Sequence, residues 1–185
     1  EEITREAIYV EQELIKEDVG SQDQAFAAHG GFKLIEFSTS GDILVNPVII
    51  KPDRLKILEK SLLLVFTGIS RMAAVAASDK IKNIPDNTDY LFKMKALVDD
   101  AYNVITSPSK NLNEFGELLN ETWNLKKKLS NEVSNSQIEE LYDMIIKNGG
   151  IGGKLCGAGG GGFMLFFVEP ENKAKVIKAL KNYLL

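Results

Sequence analysis

"GGIGGKLCGAGGGGFMLFF", residues 149–167, holds nine glycines in its first fourteen positions and then turns without a break into an apolar run. Glycine takes positive φ at little steric cost, and successive bare N–H groups in such a stretch can close around a phosphate or carboxylate. The same residues also suit a flexible turn from helix to strand. The stretch fits neither the Walker loop, which needs Gly-Lys-Ser/Thr ahead of a helix, nor the dinucleotide fingerprint, because the following "FMLFFV" reads as a strand. On these residues alone, the anion nest and the plain turn both stay open.

The flanks of this stretch set the fold class. Upstream, "SQIEELYDMIIKNGG" predicts a helix with a capping box, Ser136 with Glu139, an apolar side of Ile138, Leu141, Tyr142, Ile145 and Ile146, and an end at Gly149. Downstream, "EPENKAKVIKALKNYLL" predicts a closing amphipathic helix. From Ser70 to Ser130 the pattern is helical: an alanine-rich "SRMAAVAASDKI", a stripe of Leu91, Met94, Leu97, Val98, Ala101, Val104 and Ile105, and a second stripe of Leu112, Phe115, Leu118, Leu119 and Trp123. Before these, "SLLLVFTG" is a continuous apolar run that predicts a strand covered on both faces, and Pro52 starts a brief helix ahead of it. "GFKLIEFSTSGDILVNPVII" predicts a hairpin turning at Ser40-Gly41, with Leu34, Phe37, Leu44, Val45, Val48 and Ile50 as candidates for burial. Strands and helices mixed in this way on a largely antiparallel sheet give an α+β class.

Composition excludes several functions. The 185 residues are 44% hydrophobic and 26% charged, an ordinary globular balance, and a net charge of −4 with a pI near 5.2 provides no broad basic field for a nucleic acid. Any phosphate must be held locally. A single cysteine, Cys156, forms no internal disulfide, and a lone His29 leaves no structural zinc spacing, which suits a cytoplasmic protein. No apolar run reaches the ~18 residues of a membrane span. "EEITREAIYVEQELIKED" puts Ile3, Ala7, Val10 and Leu14 at helical spacing, without an initiator methionine, and reads as a helix entered partway in a longer protein.

Two further segments carry candidate chemistry. In "GSQDQ", Asp23 stands at a predicted helix start, where a carboxylate serves either as a cap or as a base. In "FTGISR", a strand delivers Thr67, Ser70 and Arg71 to its end; Arg71 is shaped to clamp a phosphate or carboxylate, or to form a surface ion pair.

In this order, "VGSQDQAFAAHGGF", "LLLVFTGISRMA" and "GGKLCGAGGGGFMLFF" resemble the GHMP kinase superfamily, and within it the sugar kinases of the D-glycero-D-manno-heptose 7-phosphate kinase type. "LNEFGELLNETWNLKKKLS" looks like the same branch. The resemblance implies the end of a ribosomal protein S5 domain 2-like, catalytic-aspartate domain over residues 1–52, and a ferredoxin-like C-terminal domain over 53–185. It implies phosphoryl transfer from ATP, with Mg²⁺, to a sugar or sugar-phosphate hydroxyl, heptose 7-phosphate being the first choice and galactose or fucose the alternatives. Asp23 matches the catalytic aspartate, and Gly157, Ala158, Gly159, Gly160, Gly161 and Gly162 match the C-terminal glycine motif beside the nucleotide. Thr67, Arg71, Gln22 and Gln24 are implied substrate contacts, and Gly30 and Gly31 match a double glycine that shapes the backbone. Trp123 and Lys126 match a "W-x-x-K" of the branch, one expected in the core and the other on a solvated face. A "GLGSS"-type phosphate loop and the N-terminal substrate segment do not occur in these residues. They are expected upstream, together with the Mg²⁺-contacting side chains, so a module that needs an N-terminal partner is the rival expectation. Neither nucleic acid nor membrane is expected as a partner.

Overall fold

The first helix, α1 (Glu2–Tyr9), runs on into a π-helical segment, Val10–Leu14, in the computed structural model, which describes residues 1–70 and 83–183. The chain divides into two units, Glu1–Ile49 and Ile50–Leu185. In the first unit the helix forms where its periodicity predicts, but the stripe that turns inward is a different one. Thr4 is buried and Ala7, Ile8, Glu11 and Gln12 are half-buried, whereas Ile3, Val10 and Leu14 are exposed. Helix α2 (Gln22–His29) ends at Gly30, and both Gly30 and Gly31 take positive φ, a conformation in which a Cβ would be strained. Strands β1 (Lys33–Phe37) and β2 (Ile43–Pro47) pair antiparallel as the predicted hairpin. Its turn is tied by the Ser38 hydroxyl, which accepts from Asp42 N–H at 2.9 Å, and by Gly41 at φ +87°. Two of the six residues expected to be buried here are exposed: Leu44 lies opposite Glu36 on the polar face of the ladder, and Phe37 stands at the strand end.

The second unit is built on a three-stranded antiparallel sheet in the order β3-β5-β4, formed by β3 (Leu62–Phe66), β4 (Gly150–Leu155) and β5 (Phe163–Val168). Its helices are α3 (Pro52–Ser61), α4 (Thr88–Thr106), α5 (Asn113–Lys126), α6 (Ser136–Lys147) and α7 (Pro170–Tyr183). This is the α+β class that the sequence predicts. The alanine-rich stretch, residues 71–82, lies outside the described residues.

Burial selects among the predicted apolar positions. Trp123, Ile138, Ile145, Leu155, Met164 and Phe166 are fully buried in one core, each worth about 2 kcal/mol of apolar transfer. On α4 only Leu97, Val104 and Ile105 are buried, and Val98 is exposed. Strand β3 departs from the expectation of cover on both faces. Val65 is buried, but Leu64 is 59% and Phe66 47% exposed, and Phe66 pairs across the ladder with the equally exposed Phe163 at 5.1 Å between ring centres. As an edge strand with one packed face, β3 needs its apolar core contacts only at alternate residues.

The glycine stretch contains a strand that the sequence reading treats as loop. Residues 150–155 form β4 because glycine is demanded there by proximity. A Cβ on Gly152 would lie 2.0 Å from the Gly116 carbonyl oxygen of α5, and one on Gly153 would lie 2.3 Å from the Phe166 ring. Helix α6 also starts differently from the capping-box expectation. Asn135 is the N-cap, its side chain accepting from Ile138 N–H at 3.1 Å, and Glu139 instead accepts from the Ser134 hydroxyl and from Lys127 Nζ. The end of α4 is held by Arg54, which donates to the carbonyls of Val104, Ile105 and Lys110 at 2.6–2.9 Å.

Tyr142 donates to Asn120 Oδ1 at 2.6 Å, joining α6 to α5. Burial first, with Glu139 and Asp143 adding repulsion against a hydrogen bond from Gly153 that opposes them, pushes its phenol up to about 12. The neutral form is thus favoured by folding. This contribution is complete below the unfolded value near 10 and is lost as pH rises through about 12. Tyr142→Phe is expected to flatten the fall in stability between these limits, measured as the difference between the two proteins' denaturation midpoints across that range. Gly152→Ala is expected to cost about 3 kcal/mol by denaturant unfolding, because backbone must move. Gly157→Ala, where the added Cβ meets nothing but φ is +63°, is expected to cost about 1 kcal/mol.

Candidate active site

Asp23 lies in the first turn of α2, where the helix N-terminus favours a carboxylate. It is exposed, as is Gln22, and its side chain makes no hydrogen bond or ion pair among the described residues. Gln24 is buried instead. Its amide donates to Glu11 of the π-helical segment, while its Oε1 is buried without a partner among the described residues. The chain leading into α2 is held from the same segment: Gln12 Nε2 donates to the Val19 carbonyl at 2.9 Å and to Ser21 Oγ at 3.3 Å. Gln22 and Asp23 are therefore presented outward, and Gln24 faces inward and secures the helix that carries them.

In the second unit, residues 156–162 form the loop between the adjacent strands β4 and β5. Three of its N–H groups are engaged internally: Cys156 donates to Phe163 O at 2.8 Å, Gly160 to Val133 O at 2.9 Å and Gly162 to Ile69 O at 2.9 Å. The N–H groups of Gly157, Ala158, Gly159 and Gly161 make no backbone hydrogen bond among the described residues. The loop also has a pressed side and an open side. A Cβ on Gly159 would meet Val133 at 3.0 Å and one on Gly161 would meet Ile69 O at 2.8 Å, whereas Gly157 and Gly162 have nothing within 4 Å. Thr67 is brought to this loop and is buried. Its hydroxyl donates to Gly162 O at 2.9 Å and accepts from Ile69 N–H at 3.3 Å, and its carbonyl accepts from Gln137 at 3.2 Å. Arg71 lies outside the described residues.

One side chain stands where the sequence does not place it. Lys126, expected on a solvated face, is 7% exposed, and its Nζ donates to Leu155 O at 2.8 Å and to Gly157 O at 2.7 Å. The clue available in the sequence is spacing: Lys126 follows the buried Trp123 by three positions and so shares its helix face. Val133 is a second contact absent from the sequence reading, and it reaches the loop because it is fully buried in a segment with no periodicity to reveal it.

The exposed Gly157 and the half-buried Ala158 carry N–H groups with no backbone hydrogen bond among the described residues, and such groups can donate to an oxyanion such as a phosphoryl group. Among the described residues, no group of three or more His, Cys, Asp or Glu could hold a metal ion. No described helix is long and apolar enough to cross a membrane.

Residues 95–184 match the family described as GHMP kinases C terminal. The chain is 36% identical over 182 residues to D-glycero-alpha-D-manno-heptose 7-phosphate kinase of Campylobacter jejuni, covering 98% of this chain and 53% of that enzyme. It is 29% identical to the bifunctional fucokinase/GDP-fucose pyrophosphorylase of Arabidopsis thaliana, over 96% of this chain and 17% of that protein. Among solved structures, a D-glycero-D-manno-heptose 1-phosphate kinase from Bacteroides thetaiotaomicron superposes with a TM-score of 0.67 at 27% identity, over 97% of this chain and 48% of that one. The chain thus spans about half the length of the heptose kinases it matches. With the fold, the glycine loop and these likenesses in agreement, residues 95–184 carry the C-terminal domain of the GHMP kinases.

Proposed function

We propose that the protein bearing this chain is an ATP-dependent sugar kinase whose acceptor is a heptose phosphate. The observation that carries this reading is the 36% identity to a heptose 7-phosphate kinase over 98% of the chain. Asp23 is the proposed base. The acceptor hydroxyl oxygen attacks the γ-phosphorus of ATP, the bond from that phosphorus to the bridging oxygen breaks, ADP leaves, and the hydroxyl proton passes to the Asp23 carboxylate. An exposed carboxylate with no competing side-chain partner among the described residues suits this task, since its acceptor oxygens are open to a substrate hydroxyl. Gln22, exposed beside it, is a proposed sugar contact. Gln24 supports the helix from within, and Arg71 is a proposed anion contact from its match to the "FTGISR" segment alone.

Gly157 to Gly162 are proposed to line the nucleotide side, with their unbonded N–H groups toward phosphoryl oxygens. Mg²⁺ bound to ATP would neutralise charge on the transferring phosphoryl group. Fucose is the second reading, favoured by the likeness to the Arabidopsis fucokinase enzyme along almost the whole chain.

In the whole protein, Asp23→Asn is expected to lower kcat about 10²- to 10⁴-fold while ADP affinity, read by calorimetry, is retained. Turnover equal to the parent's would remove Asp23 from the base role. Absence of phosphorylation by the parent across a panel of heptose phosphates, fucose and galactose would remove the kinase reading itself.

A further inference from the structure

Lys126 is a buried lysine with no place in the mechanism above, and its Nζ donates to two carbonyls where β4 becomes the glycine loop. We propose that Lys126 is a positioning residue for the nucleotide: by pinning the Leu155 and Gly157 carbonyls, it turns the Ala158 N–H outward as a donor to a phosphoryl oxygen. The proposal rests on the kinase reading for the identity of that oxygen.

The geometry follows from the peptide bond. A planar trans peptide points its C=O and N–H in opposite directions, and the chain has no cis bond among the described residues. Gly157 O accepts from Lys126 at 2.7 Å, so the N–H of the same peptide, on Ala158, points away from the lysine. Gly157 is exposed and Ala158 half-buried, and this N–H makes no backbone bond among the described residues. The neighbouring peptide shows the same logic completed internally. Leu155 O accepts from Lys126, and the Cys156 N–H on its far side reaches Phe163 O at 2.8 Å. Curling both carbonyls toward one amine requires the positive φ of Gly157, +63°.

A lysine contributes three N–H donors on one centre, and a charge-assisted bond to a carbonyl polarises that peptide, making its N–H a stronger donor on the opposite side. The rest of the loop is fixed by other partners: Val133 at Gly160, and Ile69 and Thr67 at Gly162. Lys126 thus reaches a peptide at the exposed end of the loop, Gly157–Ala158, to which none of those partners bonds among the described residues.

The test compares Lys126→Met, which keeps the stem and removes the donors, with Lys126→Arg, which restores them, in the whole protein. Lys126→Met is expected to fold, to raise the ATP KM and the calorimetric Kd for ADP by at least about tenfold, and to leave the sugar KM unchanged. Lys126→Arg is expected to recover part of the nucleotide affinity. Unchanged ADP affinity in folded Lys126→Met, an equal rise in both KM values, or failure of both variants to fold would overturn the proposal and leave Lys126 a structural brace. A parent that binds ADP but phosphorylates no sugar would count against the kinase reading alone, because ADP calorimetry still reads the lysine. A parent that binds no ADP would overturn both.

Discussion

The second unit depends on one close approach, the backbone of α5 against the backbone of β4 at Gly116 and Gly152. No side chain separates them there: a Cβ on Gly152 would fall 2.0 Å from Gly116 O, and a Cβ on Gly116 would fall 2.9 Å from Ile151. A helix seated this low on a sheet has little freedom to slide or roll, since any shift drives main chain into main chain. From that anchor the helix rises ~1.5 Å per residue, bringing Trp123 into the core and then Lys126 to the end of β4. The position of the glycine loop is thereby set by a contact some way from it.

The glycines of residues 149–162 do two different jobs. In β4, Gly152 and Gly153 are needed because there is no room. In the loop, Gly157 and Gly162 are needed because of their left-handed backbone, with open space around them. Those demands divide the stretch at Cys156, whose N–H makes the last ladder-like bond before the chain departs. The loop beyond is well held, through Lys126, Val133, Ile69 and Thr67, while several of its N–H groups remain unbonded among the described residues. A rigid loop with unsatisfied donors is preorganised for an anion, since the cost of ordering it is met on folding.

Much of this is legible in the sequence, for identifiable reasons. The hairpin at Ser40-Gly41, α2 ahead of Gly30, and the helices carrying Trp123 and Ile145 are strong local patterns, and each forms where turn residues or apolar spacing place it. Strand β4 is hidden because glycine suppresses strand propensity, and its presence is explained by its pairing with β5 and its close contact with α5. The inward stripe of α1 defies its pattern because the apolar side chains at Ile3, Val10 and Leu14 are exposed and the polar Thr4 is buried. Asn135 displaces Ser136 as the cap of α6 by a single position, leaving Glu139 to bind Lys127 and Ser134. Among the candidate residues, Asp23 and the glycine loop can be named from pattern. Lys126 is named with the wrong surroundings, a solvated face, although its place three residues after Trp123 sets both on one side of the helix.

The segment from Lys126 to Val133 holds the glycine loop at two points, through Nζ at Gly157 and the Val133 carbonyl at Gly160. Its length is therefore a gauge for the loop's width. An inserted residue there would unseat one grip or the other, although the segment carries no chemistry. The turn at Ser38–Asp42 makes its hydrogen bonds within its own hairpin among the described residues, so its length is freer to drift. Variation in chain length across this family should accordingly avoid the first segment and collect in the second, and the conserved quantity between Lys126 and Val133 would be the number of residues more than their identity.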